Sequence, residues 1–183
     1  MHCLSLCPNT IISIMIRLAK KEEIDKIVAI TRACASKMIV NGIHQWNEQY
    51  PSREAFEHDV KRKELYVLED YGNISGCIVI STFKDLIYNE VKWLTENDKP
   101  SLYIHRLAVH PNNQGQGIAQ KLMLYAENWA KEGDFQSVRL DTFSHNTRNN
   151  RFYKQRGYHK LGNVYFPKQS KHPFYCYELP LNG

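Results

Sequence analysis

Apolar and polar positions switch between two periods along this chain, and the switches divide it into elements. Ile11 to Leu18 reads as a first strand. From Lys21 to Val40 the apolar residues recur at helical spacing. Ile24, Ile27, Val28 and Thr31 begin the stripe, Glu22 and Glu23 suit the positive end, and Asn41-Gly42 supplies a stop. Ser52 is placed to cap a second helix running to about Arg62. Leu65-Tyr-Val-Leu68, a turn at Tyr71-Gly-Asn73, and Ile74 to Phe83 make a hairpin. Lys84 to Lys99 is a polar loop with Trp93 and Leu94 embedded in it, long enough to be a functional-loop candidate. A β-type run from Ser101 to His110, with Leu102 to Val109 as its strand, leads into a helix predicted to bury Ile118, Leu122, Tyr125, Ala126 and Trp129 and to end at Gly133-Asp134. A strand at Ser137 to Thr142, a short helix around Tyr153, and strands at Leu161 to Phe166 and Phe174 to Leu179 complete the chain.

This order predicts an α/β domain, hairpins first, with a late strand–helix–strand crossover whose flanking strands run parallel. A length of 183 residues, 43% hydrophobic and 23% charged, suits one globular domain with a sizeable core. Met15 reads as a natural domain start, so the domain is set at 15–183 behind an N-terminal extension at 1–14. No apolar run approaches the ~20 residues of a membrane helix, so no membrane role is expected. Met1 to Ile16 lacks the basic start and small-residue cleavage site of a signal peptide. The five cysteines, Cys3, Cys7, Cys34, Cys77 and Cys176, are odd in number and lack zinc spacing. They read as reduced thiols in a cytoplasmic protein, with no metal site. The net charge of +5 suits polyanionic ligands. With no helix-turn-helix, RNP or zinc signature, nucleic acid is not expected. A homodimer is the assembly kept open.

The candidate chemistry starts at Leu107-Ala-Val-His-Pro-Asn-Asn-Gln-Gly-Gln-Gly-Ile-Ala-Gln-Lys-Leu122. Gly115 and Gly117 open a helix directly after a strand, and a helix start without side chains lets a ligand approach free N–H groups at the positive dipole end. That is a seat for a pyrophosphate. A Walker A loop would need Gly-Lys-Ser/Thr, which is absent. A dinucleotide fingerprint would need a third glycine where Gln120 stands; Asp141 does lie near its ~20-residue acidic offset, so that reading is weakened and stays open. A glycine-rich turn with no ligand is the plain alternative.

Gln114-Gly-Gln-Gly117-Ile-Ala119 resembles Q/R-x-x-G-x-G/A, the acyl-CoA loop of the GNAT superfamily of N-acetyltransferases. Downstream, Asn146-Thr-Arg-Asn-Asn-Arg-Phe-Tyr153-Lys-Gln-Arg-Gly157-Tyr158 resembles the same superfamily's N-x-x-A-x-x-x-Y-x-x-x-G-F/Y segment, with Asn149 in place of the usual alanine. The resemblance covers most of Ile16 to Leu179. It implies the GNAT fold: a mixed, strongly twisted sheet flanked by helices, whose two central parallel strands splay apart to admit a pantetheine arm.

The resemblance also implies roles. Leu107, Ala108 and Val109 would pair with the pantetheine amides, the backbone near Val109 would stabilise the oxyanion, and Gln114, Gly115, Gln116, Gly117, Ile118 and Ala119 would hold the pyrophosphate of acetyl-CoA, with Asn146 and Tyr153 beside them. Tyr153 would protonate the leaving thiolate, since a phenol keeps its proton at neutral pH. His105, which alternation places on one strand face with Tyr103 and Leu107, is the candidate general base; Glu69, Glu90 and Asp141 are its carboxylate rivals. Trp46, Tyr50, Trp93 and Tyr103 are the candidate wall of an acceptor slot. The expected activity is transfer of acetyl from acetyl-CoA to a primary amine, on a small molecule or a peptide, by direct attack in a ternary complex. A non-catalytic acyl-CoA-binding or sensing domain is the alternative. Some of the basic residues Arg148, Arg151, Lys154 and Arg156 could meet the CoA 3′-phosphate, but they read at least as well as a solvated helix face and are not counted as site residues.

Overall fold

The computed structural model describes residues 14–96 and 99–181. Cys3, Cys7, the first three residues of the strand expected from Ile11, and all but the last residue of the extension expected at 1–14 lie outside them. In chain order the elements are β1 (Met15–Leu18), α1 (Ile24–Val40) behind a 3-10 turn at Lys21–Glu23, α2 (Arg53–Lys61), β2 (Leu65–Asp70), β3 (Asn73–Ser81), β4 (Ser101–Val109), α3 (Ile118–Glu132), β5 (Ser137–Phe143), α4 (Thr147–Gln155), β6 (His159–Val164) and β7 (Phe174–Pro180). The caps fall where the sequence puts them. Ser52 accepts from the Ala55 amide at 3.2 Å and starts α2, and Asn146 accepts from the Asn149 amide at 3.1 Å and starts α4. The long loop before β4 holds a further 3-10 turn at Leu86–Glu90.

The strands form one mixed sheet in the order β1-β2-β3-β4-β5-β7-β6, antiparallel throughout except for the parallel pair β4–β5. Helices cover both faces. Ile118, Leu122, Met123 and Ala126 of α3 pack on Leu102, Ile104 and Leu140; Ile24, Ile27 and Ile30 of α1 pack with Phe56 of α2 on Val67, Cys77 and Val79. Cys34, Cys77 and Cys176 are buried free thiols.

Two details differ from the alternation read in the sequence. On α3 the buried face is Ile118, Leu122, Met123, Ala126, Glu127 and Ala130, whereas Tyr125 and Trp129 lie at its margin, their rings against Tyr66 and Phe135. Glu127 takes an interior position because Arg156 and Tyr158 bond its carboxylate. The second detail is at the centre of the sheet. Cys77 pairs with Ala108 and Val79 with His105, so β4 carries one residue more than β3 across this interval. This is a β-bulge. It reverses the phase of β4: Tyr103 and His105 share a face against Tyr88, but Leu107 turns to the α3 side and does not join them.

Arg106 sits in the bulge with φ of 49°, left-handed backbone that costs a non-glycine residue about 1–2 kcal/mol. Its guanidinium offsets this by gripping Asp59 of α2 with two bonds, 2.9 and 2.7 Å, and by donating to the Tyr50 hydroxyl at 3.2 Å. The parallel β4–β5 pairing ends at Ile104 opposite Leu140, while β4 runs on to Val109 and β5 to Phe143. The two central strands therefore part beyond Ile104, and the gap between them is where the cavities lie.

Candidate active site

Past the parting strands, a 3-10 turn at Pro111–Asn113 carries the chain to Gly115 (φ 86°) and Gly117 (φ 77°), the latter capping α3. Both need the left-handed backbone that glycine adopts without strain. A Cβ built at either would meet nothing within 4 Å, so this turn presents bare backbone to open space. That space is a cleft of ≈ 580 Å³ bounded by α1, β4, the glycine turn and α4. Leu107, Ala108, Val109, Gln114, Gly115, Gly117, Ile118, Ala119, Asn146 and Tyr153, all candidate cofactor-binding residues, line it. Gln116 does not: it is exposed, with its amide 3.5 Å from the Asn112 carbonyl.

Gln114 spans the cleft mouth. Its side-chain nitrogen donates to the Val109 carbonyl at 3.1 Å, and its oxygen accepts from Lys37 of α1 at 3.1 Å and from Arg148 of α4 at 3.2 Å. Two cations thus converge on one neutral oxygen beside a helix N-terminus, and neither forms an ion pair among the described residues. Such a cluster has an unmet demand for an anion. Of the four basic residues around α4, Arg148 and Arg151 line the cleft. Cys34 also lines it and donates to the Val109 carbonyl at 3.1 Å; burial pushes its thiol up to about 11, so it stays protonated.

A second, smaller pocket of ≈ 260 Å³ lies on the other side. The two cavities share Gln45, Trp46, Leu107, Asn149 and Tyr153. Asn149, the departure from alanine, therefore sits at the junction, where its amide is 3.4 Å from the Thr142 hydroxyl. Tyr153 is 5% exposed, and its hydroxyl has no protein partner among the described residues. Burial, with Asp141 nearby, raises its pKa well above the usual phenol value, so it holds its proton.

His105 and Asp141 both line the smaller pocket. Burial first, then the charges of Arg106 and Arg62, push His105 down to about 3. Burial, opposed by the hydrogen bond from the Tyr88 hydroxyl, raises Asp141 to about 6. The other two carboxylate rivals lie away from the pocket: Glu69 is bonded to Arg17 across β1 and β2, and Glu90 is exposed. Trp46 and Tyr50 line the pocket as expected; Trp93 and Tyr103 do not. Those two stand one layer back, Tyr103 stacked on Tyr88 at 5.7 Å and Trp93 under the Arg139 guanidinium at 4.6 Å, where they brace the wall. Gln45, Asn149, Lys37 and Arg106 were missed as site residues. Gln45 had a signal, since it lies inside the aromatic and polar run His44-Gln-Trp46.

Comparison with known proteins agrees with this geometry. The family model described as acetyltransferase (GNAT) family matches residues 16–158. YesJ, an uncharacterized N-acetyltransferase of Bacillus subtilis (strain 168), is 21% identical over 145 residues, 77% of this chain and 79% of its own. The crystal structure of a GNAT-family acetyltransferase from Streptococcus agalactiae 2603 superposes with a TM-score of 0.78 at 22% identity, over 94% of this chain and 99% of that one. That of yncA from Salmonella typhimurium, solved with its cofactor acetyl-CoA, gives 0.66 at 16% identity over 93% and 95%. A sheet parted beyond Ile104, a bare glycine turn facing the gap, and a family match spanning both motifs lead to one conclusion: this chain belongs to the GNAT family of acetyltransferases and is an acyltransferase enzyme.

Proposed function

We propose that the protein transfers the acetyl group of acetyl-CoA to a primary amine by direct attack, with both substrates bound together. The observation that carries this is the pair of cavities meeting at Tyr153: a long cleft with bare backbone donors and converging cations on one side, a small aromatic and acidic pocket on the other. The residues fit acetyl-CoA. Gly115, Gly117 and the first amides of α3 take the diphosphate, Lys37 and Arg148 exchange the Gln114 oxygen for phosphate oxygens, and the unpaired edge of β4 at Leu107–Val109 receives the pantetheine amides. The Salmonella neighbour solved with acetyl-CoA supports the same occupant.

An ammonium has no lone pair, so a proton must leave before attack. We assign it to Asp141 in preference to His105. A carboxylate near pKa 6 is ionised yet basic at neutral pH, whereas an imidazole held near 3 is a feeble base. The amine nitrogen then bonds to the thioester carbon, a backbone N–H near Val109 stabilises the oxyanion, and the C–S bond breaks. Tyr153 protonates the departing sulfur and is restored by the second proton from nitrogen, through water. The balance is ammonium plus acetyl-CoA giving amide, CoA thiol and one proton.

Initial rates followed by thiol release test this: intersecting double-reciprocal lines are expected, and parallel lines would reject the ternary complex. The pH profile tests the base. Asp141 is protonated below about 6 and ionised above it, so kcat/KM is expected to fall as pH drops through that value. Asp141→Asn is expected to remove this acidic limb along with about 10²-fold or more of the rate; a limb that survives the substitution would transfer the role to another group.

A further inference from the structure

The smaller pocket carries an inference about the acceptor itself, resting on the acetyl-transfer reading above. Four carboxylates line it, Asp59, Glu64, Asp85 and Asp141, against two guanidiniums, Arg62 and Arg106. Both guanidiniums are engaged. Arg106 holds Asp59 with two bonds, and Arg62 donates to Glu64 at 2.8 Å and to the Ser81 hydroxyl at 3.2 Å, with its head 5.0 Å from the Phe83 ring centre. That leaves Asp85 and Asp141 outside any ion pair among the described residues. Asp85 is exposed, with one oxygen accepting from the Ile87 amide; Asp141 is partly buried, accepting from Tyr88 alone among the described residues. A carboxylate has room for about four hydrogen bonds. Among the described residues the pocket therefore has spare acceptors for a cation and no spare cation for an anion. Its aromatic lining, Trp46, Tyr50 and Phe174 among others, suits an ammonium on an apolar frame.

Size and closure narrow the choice further. At ≈ 260 Å³ the pocket is below the roughly 300–1,000 Å³ of sites that take drug-sized ligands. The segment between α1 and α2 lends Gln45, Trp46 and Tyr50 to its wall and is tied at three points: Asn47 donates to the Lys168 carbonyl between β6 and β7 at 3.3 Å, Asn146 donates to Gln45 at 2.8 Å, and Arg32 donates to the Asn47 carbonyl at 2.9 Å. Phe166 and Gln169, from that same β6–β7 segment, line the pocket. A polypeptide acceptor needs an open run for the residues after its amine, and a bond joining two walls of so small a pocket narrows that run.

We propose that the acceptor is a small, carboxylate-free cationic amine, excluded from being a polypeptide by the bridge between the α1–α2 and β6–β7 segments and selected by Asp141 at the reacting amine and Asp85 at the mouth. The test compares kcat/KM, with acetyl-CoA saturating, across matched acceptors: tyramine against tyrosine, cadaverine against lysine, and each free amine against a tripeptide bearing the same group. The carboxylate-free member is expected to exceed its amino acid and its peptide by at least tenfold. Asp85→Asn is expected to shrink the amine-to-amino-acid ratio severalfold while the enzyme remains folded, as judged by an unchanged CoA-dependent rise in melting temperature. Equal or reversed ratios, or preferred transfer to the peptides, would overturn this inference and leave the acetyl-transfer reading standing. No transfer to any member, with CoA still raising the melting temperature, would overturn both.

Discussion

The two sides of Tyr153 are built in different ways. The long cleft is made largely of main chain: two left-handed glycines, a helix N-terminus and the open edge of one strand. The small pocket is lined by residues that come from α2, β3, β4, β5, α4, β7 and four connecting segments. Under the acetyl-transfer reading, a backbone-built seat would take the diphosphate and tolerate change in the side chains around it. A side-chain-built pocket is set by each residue separately, so it is where relatives of the same fold diverge in substrate. The difference also shows in charge. Among the described residues, cations outside any ion pair face the cleft at Lys37 and Arg148, and carboxylates outside any ion pair face the pocket at Asp85 and Asp141.

Substitutions break or sharpen this contrast. The largest effect is expected at the junction. Tyr153→Phe should lower kcat by about 10²–10⁴-fold, the range for a lost general acid, while CoA affinity measured by calorimetry stays within about twofold. Unchanged turnover would take the proton-donor role away from this residue. Next comes the bulge, which serves both sides. Arg106→Met leaves Asp59, 5% exposed, buried without its partner, and a loss of about 3–5 kcal/mol is expected in urea unfolding. Asp59→Asn in that background should recover part of it, because the stranded charge is gone. The smallest effect is expected on the cleft cations. Lys37→Gln and Arg148→Gln sit on exposed side chains, so each should raise the KM for acetyl-CoA by only up to about fivefold. Acetyl-pantetheine, which lacks the diphosphate, should be used unchanged by both variants. A matching loss with that truncated donor would mean that these residues act on folding rather than on phosphate.

The same contrast explains how far the sequence could be read. The glycine turn and the Tyr153 helix each lie within one short stretch, and their caps are local: Asn146 bonds an amide three residues on. A window of sequence holds all the information such a feature uses. The pocket has no window. Tyr88 and Asp141, its hydrogen-bonded pair, are 53 residues apart, and neither carries a local mark of the partnership. An isolated imidazole is a base, so the sequence points to His105; burial and the charges of Arg106 and Arg62, which lower its pKa, come from residues that no local window links to it. Trp93 and Tyr103 have the right chemistry for a wall, but stacking on Arg139 and Tyr88 sets them behind it.

By itself the sequence determined the element order, the caps, the glycine seat and the family, because hydrophobic period and φ preference act within a few residues of chain. The tertiary structure alone decided the bulge and all that follows from it. Arg106 holds a left-handed backbone only because Asp59, 47 residues earlier, is there to grip it. The bulge shifts the phase of β4 and turns Leu107 to the other face, and Tyr153 lines both the cleft with the glycine turn and the acidic pocket. Charge and burial at a point in space depend on residues distant along the chain, so they were settled only when the strands came together.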